Sequence, residues 1–77
     1  MKKIEILGMG CPNCKRLEEN ARKAVSELGL EAEIIKVTEI GKIMGYGVMA
    51  TPALVVNGKV KASGRIPDAR EIKTWLV

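Results

Sequence analysis

The sequence contains no histidine and no phenylalanine, and its only aromatic residues are Tyr46 and Trp75. Without histidine, Cys-His and Ser-His mechanisms and histidine-ligated metal sites are excluded at once. With aromatics at 3%, the core has to be built from Ile, Leu, Val, Ala and Met. No apolar run approaches the length of a membrane span, and Met1-Lys2-Lys3 leads into only a short apolar stretch. A cytoplasmic protein with no membrane partner is therefore expected. Nor is there a block of one-signed charge. The 13 basic and 9 acidic residues give +4, but the signs interleave along the chain. That pattern reads as a solvated surface and argues against nucleic acid as a partner. Cysteine is scarce as well: two residues are too few for a disulfide-built secreted domain.

What is present is an ordinary globular balance of 47% apolar and 29% charged residues in 77 positions. Residues 1–77 are expected to form a single domain near the lower size limit for a self-sufficient core, acting as a monomer. Lys3 to Leu7 alternates as a first strand, which Gly8-Met9-Gly10 breaks. From Pro12 the period changes. Cys14, Leu17, Ala21, Ala24, Val25 and Leu28 recur at helical spacing, Pro12 suits the first turn, and Gly29 suits the residue after the last. Glu31 to Val37 reads as a second strand, followed by a short helix that Thr38 would cap and Gly45-Tyr46-Gly47 would end. Ala53 to Val56 is a strand apolar on both faces, and Asn57-Gly58 turns it into a return strand, Lys59 to Ala62. Asp68 and Glu71 have capping-box spacing, opening a last helix with Ile72, Trp75 and Leu76 on one face. The order β-α-β-α-β-β-α gives an α/β fold, a mixed four-stranded sheet covered by helices.

The one cysteine pair, Cys11-Pro12-Asn13-Cys14, spans only four residues. Closing so short a loop is worth about 2 kcal/mol on the chain-entropy account, at the weak end for a structural staple. Chemistry is the better use. Residues three apart share a helix face, so the two sulfurs can meet at bonding distance. Cys11 precedes the helix, where unpaired N–H groups and the macrodipole favour a thiolate. Cys14 is one turn inside, on the apolar face. An exposed acidic sulfur that attacks and a shielded one that resolves are what thiol–disulfide exchange requires. A structural zinc site would need two more ligands than one pair supplies.

Two family resemblances follow from these residues. Gly8-Met9-Gly10-Cys11-Pro12-Asn13-Cys14 resembles the Gly-Met-x-Cys-x-x-Cys loop of heavy-metal-associated domains, which implies soft-metal, Cu(I), trafficking as the alternative. That likeness ends after the first helix, where those domains continue with a hairpin. The second covers essentially the whole chain. Cys-Pro-x-Cys on a first helix, then Ala50-Thr51-Pro52 before a buried strand, an Asn-Gly hairpin and a last helix resemble the thioredoxin/glutaredoxin superfamily. The likeness is closest to small prokaryotic thioredoxin-like proteins, also called redox-active disulfide proteins. It implies a minimal thioredoxin fold and a protein disulfide oxidoreductase with no cofactor and no metal beyond its cysteine pair. Cys11 matches the nucleophile and Cys14 the resolving cysteine. Pro52 matches the cis-proline packed against them, and Thr51 the residue whose backbone pairs with an extended substrate segment. Glu5, six residues before Cys11, matches a buried acid that serves as proton acceptor for the resolving cysteine; the strand itself equally allows a solvated side chain beside Lys3. No tryptophan precedes Cys11, and Ser63 to Asp68 keeps only fragments of the glutaredoxin glutathione site. Protein disulfides and a reductase are therefore the partners expected.

Overall fold

A computed structural model describes residues 2–10, 12–48 and 50–77. In chain order the elements are β1 (Lys2–Leu7), α1 (Pro12–Leu28), β2 (Ala32–Val37), α2 (Ile40–Gly45), β3 (Ala53–Val56), β4 (Lys59–Ser63) and α3 (Ala69–Leu76). The four strands form one mixed sheet in the order β2-β1-β3-β4. β2 runs parallel to β1, whereas β3 is antiparallel to β1, and β4 to β3. This is the thioredoxin arrangement expected from the sequence, with each element within a residue or two of its expected limits.

Strand alternation sorts the apolar side chains into two layers. Ile4, Ile6, Leu54 and Val56 point to one face and pack with Leu17, Ala21 and Ala24 of α1 and Ile72 and Leu76 of α3. Leu7, Val37, Ala53 and Val55 point to the other face, where Ile43 of α2 and Val48 cover them. β3 is buried on both faces, as its unbroken apolar run requires. Complete burial of a Leu or Ile contributes about 1.5–3 kcal/mol. Ile4, Leu7, Leu17, Leu54, Ile72 and Leu76 are all fully buried, so the sheet and the two longer helices fix the frame on which the cysteine motif is mounted.

Local chemistry sets the boundaries. Gly29 takes φ +65°, and the Leu30 N–H donates to the Val25 carbonyl, closing α1. Asn57 and Gly58 both have positive φ, as a two-residue I′ hairpin demands. The cap expected at Thr38 falls instead on Glu39, and without a side-chain cap bond: the Glu39 carboxylate turns to Lys42, 3.8 Å away. At α3 the Asp68 carboxylate accepts the Glu71 N–H at 2.9 Å. Glu71 does not return the bond to the cap residue; its two oxygens accept a bidentate pair from Arg65. Among the described residues, no helix is long and apolar enough to cross a membrane.

Three carboxylates on the helices are held below their ordinary pKa: Glu18 by the Arg22 guanidinium and then Lys36, Glu27 by Lys73, and Glu71 by Arg65. A group whose pKa is lower folded than unfolded stabilises the fold above its unfolded pKa and loses that contribution as pH falls through the folded one. Stability from these pairs should be level down to about pH 5 and decline once pH drops below about 4.3, the ordinary glutamate value. Thermal unfolding midpoints across pH 7 to 3 check this, and added salt should reduce the decline.

Candidate functional site

The end of the sheet where β1 stops is where the motif residues gather. α1 begins at Pro12, directly after Cys11, which lies outside the described residues. Cys14 is in the first turn of α1 and buried, 6% exposed, on the same face as Leu17 and Ala21. Gly8, the residue after β1, donates its N–H to the Val37 carbonyl at 3.0 Å, which extends the parallel pairing one step past the strand. Its missing side chain matters here. A Cβ built on Gly8 would land on the Cys14 Sγ, lie 3.4 Å from the Cys14 Cβ, and stand 4.0 Å from the Pro52 Cα. The sulfur of Cys14 thus rests against bare backbone, with Pro52 beside the same glycine.

Pro52 enters the site from the opposite direction in the chain. It immediately precedes β3, is buried, and follows Thr51 through a cis peptide bond. Its carbonyl accepts the Gly64 N–H at 2.9 Å. Gly64 has φ +71°, and a Cβ there would come within 2.9 Å of the Ala50 Cβ, so this glycine lets the end of β4 close against the Ala50-Thr51-Pro52 loop. Thr51 is exposed at the rim, and Met9, 62% exposed, is on the loop between β1 and α1. A shallow cavity beside Cys14 is lined by Gly8, Gly10, Lys15, Glu18 and Lys36. Glu18 there is already engaged with Arg22 at 2.8 Å and Lys36 at 3.1 Å.

Glu5 is placed differently. It is 6% exposed, so the solvated alternative does not hold. Its neighbours in β1, Ile4 and Ile6, face α1, and Glu5 therefore faces the α2 side. There its Oε2 accepts a 2.5 Å hydrogen bond from the Tyr46 hydroxyl, and its Oε1 is 3.8 Å from the Lys3 ammonium. That hydrogen bond, more than burial, raises the Tyr46 pKa above its ordinary value. Two residues of this region escape the sequence reading. Gly8 reads as a strand breaker and as the start of the metal-loop resemblance, although a glycine in a strand pattern also signals a close backbone approach. Tyr46, read as part of a helix stop, carries no signal of its pairing with a residue 41 positions away.

A family profile described as "Thioredoxin domain" matches residues 2–77. A protein named thioredoxin from Methanothermobacter thermautotrophicus is 49% identical over 76 residues, covering 99% of both chains. A thioredoxin from Methanocaldococcus jannaschii is 44% identical over 73 residues, covering 95% of this chain and 84% of its own. The sheet order, the helix that carries Cys14 and the proline beside it define a thioredoxin-like α/β protein. This chain belongs to the thioredoxin family.

Proposed function

We propose that this chain, acting as one unit over residues 1–77, is a thiol–disulfide oxidoreductase working on protein disulfides through Cys11 and Cys14. The observation that carries the reading is the position of the Cys14 sulfur, seated with Pro52 against Gly8 one turn inside α1; membership of the thioredoxin family supports it independently. The Cys11 thiolate, favoured before the first turn of a helix, attacks one sulfur of a substrate disulfide. A mixed disulfide forms, and the other substrate sulfur leaves as a thiolate that takes up a proton. Cys14 then loses its proton and attacks the Cys11 sulfur. The second substrate thiol is released, and the Cys11–Cys14 disulfide is left behind. Two electrons from a reductase restore the dithiol, and the reverse sequence would oxidise a dithiol client. Exposed Thr51, beside Pro52 and just before β3, is the residue a substrate segment would pair with.

The soft-metal alternative loses support from the connectivity: α1 is followed by the parallel strand β2 and then α2, where a heavy-metal-associated domain continues with a hairpin. Insulin reduction with a dithiol donor, run beside Cu(I) titration of the reduced protein, separates the two. Catalytic reduction, well above the rate of the donor alone, with only weak copper binding is expected. A tight stoichiometric Cu(I) complex without disulfide turnover would reverse the assignment.

A further inference from the structure

A buried carboxylate is costly unless its oxygens are hydrogen-bonded. Glu5 meets that need through Tyr46, reached across 41 residues of sequence, with the Lys3 ammonium 3.8 Å from the other oxygen and Lys42 on the wall of the adjoining cavity. The carboxylate is not placed to serve the Cys14 sulfur. Glu5 is three residues before Gly8 in the chain, roughly 10 Å along a strand, and faces the other side of the sheet.

Tyr46 ends α2, and α2 is poorly held by anything else. Its six residues are too few to form a stable helix alone, and it buries only Ile43; Ile40 and Met44 on its outer side are 56% and 68% exposed. After Tyr46 the chain turns at Gly47, with φ +77°, buries Val48, and reaches Thr51 five residues on. The far end of this loop is fixed by the Gly64 N–H on the Pro52 carbonyl. At the near end, Ile43 and Val48 pack on the sheet, and the Tyr46–Glu5 hydrogen bond adds the polar fastening.

We infer that Glu5 and Tyr46 are positioning residues: their hydrogen bond clamps the end of α2 to β1 and so holds the Thr51-Pro52 loop in register for the substrate segment. The inference rests on the oxidoreductase reading and assigns Glu5 a role in substrate placement and none in proton transfer to Cys14. Losing a hydrogen bond to a buried charged group is costly, and only part of that cost should reach a loop five residues away. Tyr46→Phe should therefore raise KM for a protein disulfide about tenfold, with kcat and the pH profile of cysteine alkylation unchanged. Glu5→Ala should do the same. Glu5→Gln keeps an amide oxygen that accepts from Tyr46 and should restore KM to within about twofold of the parent chain.

Steady-state insulin reduction by the four full-length proteins, with alkylation rates measured across pH, tests this. A Glu5→Gln variant as impaired as Glu5→Ala, with a displaced alkylation profile, would overturn the inference, because the charge would then be acting on the sulfurs. An unchanged KM in Tyr46→Phe would overturn it too. Should Tyr46→Phe not fold, the contrast between Glu5→Ala and Glu5→Gln decides alone. Failure of the parent reading is distinguishable, since the unmodified protein would then show no turnover at all.

Discussion

Cys11→Ser should reduce disulfide turnover to the rate of the dithiol donor alone, whereas Cys14→Ser should capture substrate once and then stall. The two residues are three apart, and the proposed reaction uses them unequally. Cys14 is inside the first turn of α1, buried against Gly8 and on the face that continues into Leu17 and Ala21. At 6% exposure that sulfur is shielded from a bulky protein disulfide. Cys11 precedes the helix, where thiolate is favoured and the chain before it, Met9, is open to solvent. Removing the attacking sulfur therefore abolishes the first bond-forming step. Removing the resolving one leaves that step intact and prevents release. Equal residual activity in the two variants, measured by insulin reduction, would contradict this division of labour.

Gly8→Ala should lower turnover roughly 10²-fold, the scale on which an ångström-sized misplacement of a reacting group is felt. The methyl group would occupy the space of the Cys14 Sγ, so the sulfur has to rotate or α1 has to lift. Gly8 is not among the glycines with positive φ, so alanine meets no backbone penalty there. The damage should consequently concentrate on the chemistry. A loss of turnover with a much smaller change in unfolding midpoint is the expected signature, read from insulin reduction and thermal melts on the same preparation. Retained turnover would mean that the position of the Cys14 sulfur against Gly8 is irrelevant to the reaction.

The elements were legible in the sequence because each has a local cause. Pro12 and Gly29 bracket α1, the Asn57-Gly58 pair requires positive φ twice, and Asp68 caps α3 through the Glu71 amide. Only the start of α2 departs, where the Glu39 side chain prefers Lys42 and leaves Thr38 without the expected role. Cys14 and Pro52 could be named from sequence, since motif and element order point to them. The structure adds that they flank one glycine. Glu5 is more instructive. Strand alternation alone places it opposite Ile4 and Ile6, so its separation from Cys14 was available to a reader who applied the period of two strictly. Its partner was not available. Tyr46 comes to Glu5 only because α2 folds back over the sheet, a tertiary event that no local pattern encodes.

Which sulfur forms the covalent bond to substrate decides the proposed reaction. Incubating Cys14→Ser with a protein disulfide, quenching with an alkylating reagent and mapping the adduct by peptide mass spectrometry answers this. A stable mixed disulfide between Cys11 and the substrate is the predicted result. No adduct, or the same capture by Cys11→Ser through Cys14, would contradict it.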